Sequence, residues 1–226
     1  MTDQDTQDIP TLKWLNAKPA SGGAAKQLIV FLHGLGANGN DLITLAYDFA
    51  QYFPDAAFLS PHAPQECDMA PGMHMSYQWF SMQNRSVESL SAGVRAAEPI
   101  LNRFLDDQLL IHDLDDSKLV VIGFSQGTML ALHTMLRRPR ACGGVIGFSG
   151  AMVDGGSLED EIQSRPPVCL IHGDMDDVVP HAALGLASEM LEHNDVPHEA
   201  HSRPNLAHGI DQGGIALAAE FLKKVL

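Results

Sequence analysis

An α/β fold with a mostly parallel central sheet is what this sequence predicts, on three observations. Five short apolar runs, Leu28–Leu32, Ala56–Leu59, Leu119–Ile122, Gly144–Phe148 and Val168–Ile171, are continuous rather than alternating. That pattern belongs to strands covered on both faces. Longer mixed segments of helical character separate the runs, and strands that alternate with helices pair in parallel through crossovers. In such sheets ligands sit beyond the carboxyl ends of the strands, so chemistry is expected in the loops that follow the runs.

Taken in order, residues 1–10 (MTDQDTQDIP) are acidic and polar and read as a flexible tail. ASGGAAK, 20–26, is a turn that leads into the first buried strand. Helices are expected near 41–51, 86–106, 126–138 and 181–193, and a last one at 210–225. His198 and His201 fall on a further strand or its edge. Residues 61–85 fit neither element: Pro61, Pro64 and Pro71 break them up, and methionines and aromatics enrich them. A loop this long is usually functional or disordered, and its apolar content argues against disorder. Two readings stand: an excursion packed on its own small cluster, or a flap whose adaptable methionines line an apolar pocket. No internal repeat or composition break divides the chain, so a single domain over 1–226 is expected.

Bulk composition narrows the function. The 226 residues carry 14 basic and 28 acidic side chains, a formal charge of −14. Nucleic-acid binding needs a basic patch, which this balance disfavours. No run approaches the ~18 apolar residues of a membrane span. The start lacks the basic and apolar regions of a secretory signal. Cys67, Cys142 and Cys169 are odd in number and widely spaced, which argues against a disulfide framework and for a reducing, cytoplasmic setting.

The tetrapeptide Ile-Gly-Phe-Ser occurs twice, ending at Ser125 and at Ser149. Ser125 stands between an apolar strand and a segment with Met129, Leu132, Met135 and Leu136 at helical spacing, and Gly123 and Gly127 flank it at −2 and +2. That is the Gly-x-Ser-x-Gly turn, where a sharp strand-to-helix bend exposes a nucleophile and leaves no room for neighbouring Cβ atoms. The helix also aims its first amides at the site. Ser149 is followed by AMVDGGS, with Ala151 at +2, and reads as a structural strand-end serine.

A serine hydroxyl needs a base, and the base needs a carboxylate to orient it. In this strand-turn-helix setting the chain order is serine, acid, histidine. VCLIHGDMDDVVP ends a buried strand in Asp174, Asp176 and Asp177, and the residues alone leave all three open as the acid. RPNLAHGIDQGG puts His208 just before the terminal helix. His33 and His172 read as strand-end residues that hold loops by hydrogen bonds. None of the histidines has spacing that makes a convincing zinc site, so neither metal nor cofactor is expected. A tetrahedral oxyanion wants two backbone amides. Gln126 supplies one, and Leu35 in the glycine-rich FLHGLGANGND loop is the candidate for the second. That loop lacks both the Gly-x-Gly-x-x-Gly and the phosphate-loop Lys-Ser/Thr patterns, which sets aside a nucleotide site.

FLHGLGANG, SPHAP, QWF, GFSQG, HGDMDDVVP and AHGI occur in the order seen in the phospholipase/carboxylesterase family, and from about Leu28 to the C-terminus the chain resembles it. The resemblance implies an α/β-hydrolase fold and metal-free hydrolysis of esters or thioesters, with acyl-protein thioesterases and lysophospholipases among the members. Matched residue by residue, it implies Ser125 as nucleophile, Asp176 as acid, His208 as base, and Leu35 and Gln126 as oxyanion amides. It also makes a homodimer plausible. Ala37, Ser81, Thr128 and Asp177 depart from the common pattern without removing a catalytic group. The expected substrate is a small or lipid-like ester of short to medium acyl chain, with Met73, Met75, Trp79 and Phe80 of the flap as its binding wall. The competing readings are a non-catalytic acyl or lipid binder, and a peptidase or lactone hydrolase on the same fold.

Overall fold

The computed structural model describes residues 9–226. Its centre is a seven-stranded sheet in the order β1-β3-β2-β6-β7-β8-β9. These are β1 (Trp14–Ala17), β2 (Gln27–Leu32), β3 (Ala56–Pro61), β6 (Leu119–Phe124), β7 (Gly144–Phe148), β8 (Val168–Gly173) and β9 (His198–Arg203). A two-residue hairpin, β4 (Gln65–Glu66) with β5 (Tyr77–Gln78), lies apart within the flap. The edge pair β1–β3 is antiparallel and every other pair in the main sheet is parallel. Mostly parallel pairing with helices on both sides is the predicted fold class.

The continuous apolar runs are explained by the two faces they serve. On β2, Leu28, Val30 and Leu32 join one core and Ile29 and Phe31 the other. The first core is closed by α3 (Val87–His112), α4 (Gln126–Arg137) and α6 (Ala182–His193). The second is closed by α1 (Gly39–Ile43), α2 (Ala46–Ala50) and α7 (Gln212–Val225). A short α5 (Leu158–Glu161) follows β7. Fully burying one such side chain stabilises by about 1.5–3 kcal/mol, so both faces contribute heavily.

Several expectations shift. The helix expected at 41–51 is two short helices, α1 and α2. Helix α3 runs past 106, through Pro99, to a left-handed cap at Asp113 (φ 54°). Every residue of α4 is buried, so its expected one-sided pattern is only part of its packing. The α4 end carries Arg138, nearly enclosed, whose guanidinium donates to Asp116 at 2.6 and 3.0 Å. The expected tail falls mostly outside the described residues, and Ile9 accepts a 2.8 Å bond from Arg103.

Candidate active site

The site is built at the carboxyl end of the sheet, starting from Ser125. Between β6 and α4 this serine has φ 53° and ψ −115°, a conformation an L-residue avoids at a cost of about 1–3 kcal/mol. Packing enforces it. A Cβ on Gly127 would overlap the Leu32 carbonyl, and one on Gly123 would overlap the Thr128 amide. The Ser125 amide donates to Phe148 O at 2.9 Å. The repeated tetrapeptide also has a place here: β6 and β7 pair with Ile122 beside Ile146 and Phe124 beside Phe148. Ser149 consequently ends the neighbouring strand with a similar positive φ of 47°. No helix starts directly after it, the next being α5 at Leu158, and its buried hydroxyl lies 3.5 Å from Gly209 O.

The loop after β8 carries the three acids, and the structure separates them. Asp174 is exposed and accepts the Asn205 amide at 2.7 Å; Asp177 is exposed. The Asp176 side chain is fully enclosed. Its Oδ1 accepts the Val178 and Val179 amides at 3.0 and 2.9 Å, and its Oδ2 accepts His208 Nδ1–H at 2.8 Å. Burial alone would raise the Asp176 pKa. The bonds from His208 and the two amides outweigh it and hold the carboxyl below its usual value. His172, whose pKa burial lowers, donates from Nε2 to Val179 O at 2.9 Å and lies 3.3 Å from Asp176 Oδ2.

His208 sits on a loop pinned at both ends. Met175 N donates to Leu206 O at 3.0 Å, and Arg203 pairs with Asp211, the α7 N-cap, at 2.9 Å. With Nδ1 committed to Asp176, the ring packs on Phe124 at 4.8 Å between centroids, next to the serine. Among the described residues Ser125 Oγ makes no hydrogen bond to His208. A bond between a nucleophile and its base often forms fully only in the reacting complex. After β2, Gly34 packs so closely on the turn that a Cβ there would lie 3.3 Å from Ser125 Cβ. The Leu35 and Gln126 amides, the candidate oxyanion donors, give no hydrogen bond to any described residue. No group of three or more His, Cys, Asp or Glu that could hold a metal occurs among the described residues.

The sequence profile of the phospholipase/carboxylesterase family matches residues 19–226. The chain belongs to that family. This carboxylesterase-family hydrolase is 28% identical to acyl-protein thioesterase 1 of Saccharomyces cerevisiae, over 89% of its own length and 94% of the relative's. It is 27% identical to esterase YpfH of Escherichia coli, over 88% and 83%. The solved structure of esterase PE8 superposes with a TM-score of 0.90 at 38% identity, covering 96% of this chain and 100% of that one.

In this carboxylesterase-family chain the flap departs from expectation. Trp79 and Phe80, expected in a binding wall, are only 1% and 2% exposed and belong to the core, with Phe80 packed over Gly93 of α3. Met69, Met73 and Met75 are exposed. What the sequence reading missed is that the Gln126 side chain clamps the flap. Its Oε1 accepts the Trp79 amide at 2.9 Å and its Nε2 donates to Phe80 O at 2.7 Å. A polar residue at the first position of an enclosed helix was the available signal, since a buried amide must find partners. Segment 75–78 is likewise stitched to the Leu35 loop: Gly36 N to Tyr77 O, Tyr77 N to Ala37 O, and Ser76 Oγ to Gly36 O, at 2.8, 3.0 and 2.9 Å.

Proposed function

We propose that this chain hydrolyses carboxylic esters through Ser125, His208 and Asp176. His208 Nε2 takes the hydroxyl proton as Ser125 Oγ attacks the ester carbonyl. The Leu35 and Gln126 amides receive the oxyanion. The imidazolium, its charge balanced by Asp176, then protonates the leaving alcohol, and the acyl group stays on Ser125. Water, deprotonated by His208, attacks that acyl-enzyme and releases the carboxylic acid and free serine. The observation that carries this reading is the 2.8 Å bond from His208 Nδ1 to the enclosed Asp176, made beside a serine held at positive φ.

The substrate reading is an ester of short to medium acyl chain, approached past the exposed Met73 and Met75. Relatives named acyl-protein thioesterase favour thioesters as a second substrate class. Buried free thiols at Cys67, Cys142 and Cys169 suit a reducing compartment. The test is hydrolysis of p-nitrophenyl esters of graded chain length, with thioesters and lysophospholipids alongside. Ser125→Ala should abolish every activity, and turnover retained by that variant would refute the assignment. A non-catalytic binder would show no turnover with any of them.

A further inference from the structure

Resting on the reading of Leu35 as an oxyanion donor, we propose that His33 is a positioning residue whose imidazole aims the Leu35 amide. A trans peptide is planar, with its C=O and N–H pointing in opposite directions. The Leu35 N–H shares its peptide with the Gly34 C=O, so whatever holds that oxygen sets the direction of that N–H. His33 Nδ1–H donates to Gly34 O at 2.8 Å. At the other side of the ring, Nε2 accepts the Ala63 amide at 3.0 Å. An amide can only donate, so this bond fixes the tautomer: Nε2 is the bare acceptor and Nδ1 carries the proton. The His33 carbonyl is held too, by Trp79 Nε1–H at 2.9 Å, and the two rings pack at 5.4 Å between centroids. The residue is fully buried, and burial pushes its pKa down to about 4, so the ring stays neutral and keeps one acceptor. Three anchored atoms of one residue therefore orient the peptide that faces Ser125.

The geometry separates two substitutions. Asparagine can place its Nδ2 near the position of the histidine Nδ1 and keep the bond to Gly34 O. Glutamine reaches the Nε2 position and can accept from Ala63, but leaves Gly34 O unheld. Removing an oxyanion donor costs on the order of 10²–10³ in rate, so releasing one should cost His33→Gln about ten- to a hundredfold in kcat, with KM little changed. Affinity for an alkyl boronic acid, whose tetrahedral adduct on Ser125 carries an oxygen in the same place, should fall by the same factor. His33→Asn should restore most of both. If H33Q fails to fold, Trp79→Phe, which deletes the bond to the His33 carbonyl, should lower kcat and boronate affinity together. The proposal is overturned if H33Q keeps its kcat, if kcat falls while boronate affinity holds, or if H33N loses as much as H33Q. It is equally overturned if H33Q does not fold and W79F matches the wild type. A wild type that hydrolyses no ester, or an S125A variant that still does, overturns the proposed function itself.

Discussion

Replacing Asp176 with asparagine tests the catalytic geometry with little change in shape. Oδ1 accepts two backbone amides, so an asparagine must present its own oxygen there. Its NH₂ group then faces His208 Nδ1, which now donates to Oδ2 at 2.8 Å. Two donors cannot share that contact, so the imidazole moves its proton to Nε2, the nitrogen that should accept from Ser125. A wrong tautomer of this kind costs about 10⁴ in kcat, ~5.4 kcal/mol of transition-state stabilisation. Because both backbone bonds survive, the melting temperature should move little. The assay is the steady-state rate of p-nitrophenyl butyrate hydrolysis, with thermal unfolding as the control. Retention of activity within about tenfold would refute the reasoning, as would an equal loss in Asp174→Asn, whose carboxylate, among the described residues, holds only the Asn205 amide.

Three further outcomes are expected. Ser149→Ala removes only a 3.5 Å contact, so it should cost under about 1 kcal/mol of stability and leave ester turnover near the wild-type value. Gly127→Ala should destabilise by about 3 kcal/mol in urea unfolding and lose turnover, because its methyl group meets the Leu32 backbone. Glu161 is paired with Arg137 and Arg95 at 2.8 Å each. Burial alone would raise its pKa, and those bonds outweigh it, lowering the value from 4.5 to about 2. A carboxylate depressed on folding stabilises fully above its ordinary value and loses that contribution as pH falls towards the folded one. Glu161→Gln should therefore flatten the loss of stability between pH 4.5 and 2, read by denaturant melts across that range.

The five inner strands were legible because they are buried on both faces, which writes continuous apolar runs into the chain. Edge strand β1 escaped notice: it is four residues long and only half-buried at alternate positions. The break between α1 and α2 falls at Thr44–Leu45, inside a segment whose apolar spacing reads through it. At the candidate site, chain order and local context pointed to Ser125 and His208 as the proposed nucleophile and base. They left the proposed acid open, because what sets Asp176 apart from Asp174 and Asp177 is a tight turn that folds the Val178 and Val179 amides onto its carboxylate. The resemblance supplied that choice, and the residues' own physics did not. Trp79 and Phe80 misled for a related reason. Aromatic residues in a long loop can face a ligand or the core, and here the Gln126 clamp turns them inward.

The central claim is that the residue at 125 is the nucleophile of an ester hydrolase, and covalent trapping tests it most directly. The intact protein is treated with a fluorophosphonate, digested, and the adduct located by mass spectrometry. One phosphonyl group on Ser125, with matching loss of ester turnover, is the predicted result. An adduct on Ser149 or another residue, or full turnover after Ser125 is modified, would contradict it.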